Sequence, residues 1–169
     1  MSLPPPESPL GILMSSLPRA GRVQWIGLRP RRDVEMVAVH EAIAVAGCGL
    51  QGDRFAGSSG KRGVTLIQAE HLPVIAALAD HRDVAASLLR RNVVVSGIPV
   101  VALKGRKFRI GEVLLEGTDD CDPCSRMEAA LGPGGYNAMR GHGGLCARIL
   151  EGGQLRVGDA VWPMPVATG

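Results

Sequence analysis

Aromatic side chains are nearly missing from this chain: Trp25, Phe55, Phe108, Tyr136 and Trp162 are the whole complement, 3% of 169 residues. An interior built on ring packing is excluded, so Val, Leu, Ile and Ala must fill a core that a chain of this length can bury. The formal net charge is only +3. A generic nucleic-acid binder needs a basic stripe and stacking aromatics, and the sequence offers neither. No apolar run reaches membrane-spanning length, so no membrane partner is expected. Four cysteines do not make a disulfide framework in a chain this long, and they predict reduced thiols in a cytoplasmic protein. The apolar stretch 11–17 follows Pro4-Pro5-Pro6 and Glu7 rather than basic residues, which is not the pattern of a secretory leader. A flavin or nicotinamide fingerprint is also missing, so electrons for any redox reaction would have to come from a separate reductase.

What is plentiful is glycine, 23 residues, and proline, 12 residues. Spread through the chain, they predict many short elements joined by tight turns. Prolines at 4, 5, 6, 9 and 18 argue against regular structure in residues 1–21, a flexible arm ahead of a single domain at 22–169. Segments 22–28 and 34–39 read as an opening hairpin around the basic turn 29–33. Residues 41–52 read as a loop that presents side chains and ends in Gly52-Asp53-Arg54-Phe55; a basic glycine-rich loop, 57–63, carries Lys61 and Arg62. A strand at 64–67 leads into a helix reaching about residue 79, with Pro73 early, and Asp83 is placed to cap a second helix at 84–90. Further strands at 93–97, 100–103, 106–110, 113–116, 145–150 and 155–162 complete the pattern. About eight or nine short strands with two or three helices predict a mainly β fold with helical insertions, a twisted or closed β-barrel.

The most deliberately placed reactive group is Cys124, in Asp122-Pro123-Cys124-Ser125-Arg126-Met127-Glu128. Ser125-x-x-Glu128 has the form of a capping box before a helix-compatible run at 127–131, which puts the Cys124 thiol at a helix start. Unpaired N–H groups and the helix dipole favour an anion there, and the thiolate is the nucleophile and the metal ligand. Cys121-x-x-Cys124 also reads as a disulfide or redox switch. Structural zinc is a third reading, because Cys121, Cys124, His142 and Cys146 have a spacing close to four-ligand patterns. His142 reads as a loop residue or, near a reactive centre, as a proton donor. Arg90-Arg91 either offsets a helix dipole or binds an anion, and Cys48 and Cys146 read as small buried hydrophobes.

Taken in order, Gly49-Leu50-Gln51-Gly52-Asp53-Arg54, Val64-Thr65-Leu66-Ile67, Arg90-Arg91-Asn92-Val93-Val94-Val95-Ser96-Gly97, Cys121-x-x-Cys124, Gly143-Gly144-Leu145-Cys146-Ala147-Arg148 and Leu155-Arg156-Val157-Gly158-Asp159 form a specific series. The series resembles the MOSC domain, named after the C-terminal part of molybdenum-cofactor sulfurase, over roughly residues 22–163. The resemblance implies a barrel-like fold that binds the molybdenum cofactor (molybdopterin). By analogy with amidoxime-reducing relatives, Cys124 would be the metal ligand, and the activity would be reduction of N-hydroxylated or N-oxygenated small molecules. It further implies that Arg54, Thr65, Gln68, Arg90, Arg91 and Asn92 face the pterin and its phosphate, with Cys121 and His142 as further catalytic candidates. The sulfurase branch implies an alternative, a sulfur carrier or cofactor-handling protein with a persulfide on Cys124. The chain departs from the amidoxime-reducing branch in its shorter length and in Ser125-Arg126-Met127-Glu128, which replaces a threonine-rich stretch.

Overall fold

A computed structural model describes residues 3–55 and 60–165; the first part of the expected basic loop 57–63, residues 57–59, lies outside the described residues. In chain order the elements are α1 (Pro9–Ser15), β1 (Gly21–Leu28), β2 (Val37–Val39), β3 (Glu41–Val45), β4 (Gly49–Leu50), β5 (Val64–Gln68) and α2 (His71–Leu78). A 3-10 turn at Ala86–Leu89, β6 (Val93–Ser96) and a second 3-10 turn at Val100–Leu103 follow. The chain then forms β7 (Lys107–Ile110), β8 (Val113–Asp120), α3 (Ser125–Leu131), α4 (Gly135–Met139), β9 (Leu145–Glu151), β10 (Gly153–Arg156) and β11 (Ala160–Pro163).

The main sheet runs β11-β7-β8-β9-β5-β6-β1, and β1 returns to β11 through Gly21↔Val161 and Arg22↔Ala160. The expected barrel is therefore closed, which leaves the ring of strands without an edge to blunt. β2 adds to the outer end of β1, and β3, β4 and β10 form a separate three-stranded sheet. Alternation sorts the side chains. Along β8, Val113, Leu115 and Gly117 are buried, and the corresponding residues of the other strands join them around Phe108, whose ring is fully enclosed.

The β5–β6 pair is parallel, with Leu66 opposite Val93, and parallel strands need a crossover. Here it carries α2 and the first 3-10 turn across the outside of the barrel. Both strands consequently read as near-continuous apolar runs, because their outward residues Ile67 and Val94 are covered as well. They pack with Ile75, Leu89, Met127, Leu131 and Met139 in a second apolar layer. That layer docks α3 and so fixes the chain at Cys124.

Several expectations are corrected. A short helix, α1, does form in the proline-rich arm, because Ser8 accepts a hydrogen bond from the Gly11 N–H at 3.0 Å and Pro9 opens the helix where its missing N–H costs nothing. Segment 41–52 is β3 and β4 rather than a presenting loop; β3 is paired along its length with β10. The second strand shrinks to Val37–Val39, and 84–90 is a 3-10 turn without a side-chain cap, ended by Arg90 in the left-handed region. Segment 100–103 coils because Gln68 Oε1 takes the Val100 N–H and the Ala102 and Lys104 N–H groups turn back on Pro99 and Val101. The strand expected at 155–162 breaks at Gly158, φ +94°, into β10 and β11, which belong to different sheets.

Gly144 adopts φ +96°, and a Cβ there would lie 1.9 Å from the Leu66 carbonyl oxygen. Gly158 has φ +94° but open space around it. Gly158→Ala is expected to cost about 1–2 kcal/mol, the left-handed penalty alone. Gly144→Ala should cost more, by at least about 2 kcal/mol. Paired urea denaturation curves check the difference.

Candidate functional site

Two adjacent residues at the start of β6 organise the site. Asn92 is buried and its amide is fully used: Oδ1 accepts from the Thr65 N–H (3.1 Å) and hydroxyl (3.0 Å), while Nδ2 donates to the Gly27 carbonyl (3.1 Å) and Asp53 Oδ1 (3.2 Å). Asp53 in turn accepts from the backbone N–H groups of Arg29 (2.8 Å) and Phe55 (3.1 Å). This network pins the turn carrying Arg54 and Phe55 against the end of β1. Thr65 and Asn92 thus hold each other.

Arg91 does the same for the cysteine segment. Its Nε donates to the Gly143 carbonyl at 2.7 Å, Nη1 to Leu89 at 2.9 Å and Nη2 to Cys121 at 2.9 Å, all in a buried setting. A rigid fork of charge-assisted donors suits this task.

Between the two pinned segments lies a cavity of about 260 Å³ bordered by Arg29, Arg54, Arg62, Arg90, Arg91 and Arg126, with Phe55, Thr65, Cys121, Asp122, Cys124 and Met127. Asp122 is the one acidic residue in this wall. The Phe55 ring sits between two guanidiniums, 5.1 Å from Arg29 and 4.9 Å from Arg54. Arg29 is only 5% exposed, and among the described residues its Nε has no hydrogen-bond partner. Burial, and then the Arg90 charge, push the Arg29 titration down; burial and Arg126 do the same to Arg90. Cationic groups that disfavour their own charge make a cavity that calls for an anion. Cys124 is exposed at this wall and is the residue before α3.

A second cavity, also about 260 Å³, lies across Cys121 and Asp122, which border both. Gln68, His71, Asp120, Pro123, Gly141, Gly143 and Gly144 line it. The His142 ring meets His71 edge-on with centroids 4.9 Å apart, and its Nδ1 is buried with no partner among the described residues. Burial, then His142, lower the titration of His71.

The structure therefore brings Arg54, Thr65, Arg90, Arg91, Cys121 and Cys124 to one cavity and puts Gln68 on the other side of Cys121. Asn92 supports the first cavity through Thr65 and Asp53, and His142 stands by the second beside His71. Gln68 Oε1 is engaged by the Val100 N–H. The capping box does not form: Cys124 takes the cap position without a side-chain bond, and Glu128 accepts from Gly134 and Tyr136 instead. The zinc tetrad is not assembled, since among the described residues no three of His, Cys, Asp and Glu are grouped to hold a metal ion. Cys146 instead meets Cys121, and that hydrogen bond, with Arg91 and Arg62, lowers the Cys121 titration to about 7 against the opposing effects of burial and Asp122.

Arg29 was not singled out by the sequence, where it is one of several arginines in a basic turn. No sequence signal marks it: alternation from the core residues Ile26 and Leu28 would turn Arg29 outward, yet it is buried while Arg31 and Arg32 stay exposed.

Arg91→Lys keeps the charge but can replace only part of the fork. Loss of two buried charge-assisted bonds is expected to lower stability by about 3 kcal/mol. The shift of the denaturant midpoint measures it.

The YuaD protein from Bacillus subtilis superposes with a TM-score of 0.74 at 17% identity, covering 85% of this chain and 94% of that one. YiiM from Escherichia coli gives 0.67 at 17% identity, over 88% of this chain and 72% of that one. YiiM from Geobacillus stearothermophilus gives 0.67 at 17%, over 88% and 77%. At these identities the likeness concerns the fold. No curated protein matches the sequence. The family model for the MOSC domain matches residues 35–162, and the chain belongs to the MOSC domain family.

Proposed function

We propose that this protein holds the molybdenum cofactor in the arginine-lined cavity and reduces N-hydroxylated or N-oxygenated small molecules there. One observation carries the reading: a buried guanidinium with a partnerless Nε, Arg29, among further cations in a cavity that also presents an exposed thiol, Cys124. MOSC proteins are related to cofactor-binding domains of this kind. The donor set fits the group. Guanidiniums of Arg29, Arg54 and Arg90 suit its phosphate, and a thiolate from Cys124 is a soft ligand appropriate to molybdenum already held by sulfur.

When bound, the metal would supply two-electron transfer. The chain's own residues do the rest. Arg91 fixes the segment from Cys121 to Cys124, Asn92 and Asp53 fix Arg54 and Phe55, and the Phe55 ring orients the Arg29 and Arg54 guanidiniums on either side of it. His71, kept neutral by burial and by His142, borders the second cavity across the Cys121 wall, where its ring can donate or accept a hydrogen bond. Electrons would come from a separate reductase in the cytoplasm. A second reading, sulfur carriage by a Cys124 persulfide, draws on Cys121 bordering the same cavity as Cys124.

The test is elemental analysis of protein made in a host that synthesises the cofactor, comparing wild type with Cys124→Ser and Arg29→Met. About one molybdenum per chain is expected in wild type, lost in Cys124→Ser and reduced at least about tenfold in Arg29→Met, a difference of about 1.4 kcal/mol. Turnover of an N-hydroxylated base with a supplied reductase should follow the molybdenum content. Wild type without molybdenum but with cyanide-labile sulfur on Cys124 would replace this reading with the second.

A further inference from the structure

We propose that Cys121 and Cys146 form a second thiol site, in which Cys121 reacts with small hydroperoxides and Cys146 captures the product as an intramolecular disulfide. The inference is independent of the molybdenum reading. It rests first on placement. β8 and β9 pair with Asp120 opposite Leu145, and the Cys121 N–H donates to the Gly144 carbonyl at 2.9 Å. Cys146 lies two residues beyond Gly144, on the same face as Cys121, and its Sγ is 4.0 Å from the carbonyl oxygen of Asp120, the residue bonded to Cys121. Both residues are buried and neither is in a disulfide.

Access is asymmetric. Cys121 borders both cavities although the residue is only 7% exposed, which gives a small uncharged oxidant two approaches to it. Cys146 is fully enclosed and borders neither. Charge favours the same sulfur. Facing Cys121 are the Cys146 thiol from β9, Arg91 ahead of β6, Arg62 ahead of β5, and Asp122 next in sequence; the first three favour the thiolate, while Asp122 and burial oppose it. Thiolate character together with access is what selects a cysteine for oxidation.

The chemistry balances. The Cys121 thiolate attacks the terminal oxygen of ROOH; an S–O bond forms, the O–O bond breaks, and the alkoxide leaves as ROH after taking a proton. Cys146 sulfur then attacks the Cys121 sulfenic acid; an S–S bond forms, the S–O bond breaks, and hydroxide leaves as water with the Cys146 proton. Two thiols supply two electrons, and the peroxide becomes ROH and water. Hydrogen bonding to Cys121, followed by burial, raises the Cys146 titration. Once Cys121 carries oxygen, its thiolate no longer opposes ionisation of Cys146. The product would tie the end of β8 to β9 and reset the wall between the two cavities.

The experiment treats the full chain at pH 7 with a few equivalents of hydrogen peroxide, blocks free thiols by alkylation, and maps non-reduced tryptic peptides by mass spectrometry. Expected is a cross-link between peptides 110–126 and 141–148, two hydrogens lighter than their sum, with Cys124 alkylated. It should persist in Cys124→Ser and vanish in Cys146→Ser, where the hydroxyl keeps a donor beside Cys121. With its titration lowered to about 7, Cys121 should hold at least about tenfold more thiolate at pH 7 than a free cysteine, read from its iodoacetamide labelling rate between pH 5 and 9. Oxidation confined to Cys124, a Cys121–Cys124 bond, or Cys121 driven to sulfinic acid while Cys146 stays fully alkylated would each overturn the proposal.

Discussion

The guanidinium of Arg91 is the fixed point on which the site depends. It is the one side chain that reaches the carbonyls of Leu89, Cys121 and Gly143 together, and so joins the crossover, the cysteine segment and the glycine turn before β9. Its neighbour Asn92 serves the opposite direction, because successive side chains in an extended chain point to opposite faces. One residue therefore positions Cys121 and Cys124 while the next positions Arg54 and Phe55. Both lie where the crossover from β5 enters β6, a parallel pair among otherwise antiparallel strand pairs of the described residues. The site stands where this crossover meets the α3–α4 insertion between β8 and β9.

Electrostatics at this place works against stability. Arg29 and Arg90 are each held in surroundings that disfavour their charge, and Arg90 and Asp33 adopt left-handed backbone at φ 60° and 61°, a conformation that costs a non-glycine residue about 1–2 kcal/mol. The Arg126–Asp33 ion pair at 2.8 Å offsets part of the positive field, but exposed pairs of this kind contribute at most about 1 kcal/mol. The enclosed apolar barrel around Phe108 supplies the stability that tolerates the mismatch. Unmatched positive charge gathered at one cavity, while the barrel around it obeys its alternation, is what a site for an anionic ligand requires.

Much of the barrel was legible in the sequence because alternation and glycine punctuation survive in it. Strands β1, β5, β6, β7, β8 and β9 are anticipated, and the cluster Arg90-Arg91-Asn92 is found. What was not legible has physical causes. β3 and β4 hide in a run of small residues whose pairing partner, β10, lies a hundred residues away in sequence. The 3-10 turn at Val100–Leu103 looks like a strand by composition and is decided by Gln68. Phosphate-facing roles for Arg91 and Asn92 come from a family resemblance, whereas their side chains are seen holding backbone and Asp53. Arg29 could not be told from Arg31 or Arg32, since burial of a cation is a tertiary fact.

The same limit applies to the C-x2-C spacing, which reads equally as a disulfide, a zinc knuckle or a catalytic pair. In the fold the spacing is divided by Asp122-Pro123. Cys121 belongs to the end of β8, enclosed and bonded to β9, whereas Cys124 belongs to the start of α3 and faces solvent. Two sulfurs three residues apart are thus given different environments by different elements: one open for a ligand, one shared between two cavities with Cys146 as its contact. Spacing along the chain sets which pairs of thiols can meet. The elements that receive them set which pair does: with Asp120 opposite Leu145, Cys146 sits two residues beyond the Gly144 that faces Cys121, whereas Cys124 is carried off at the start of α3.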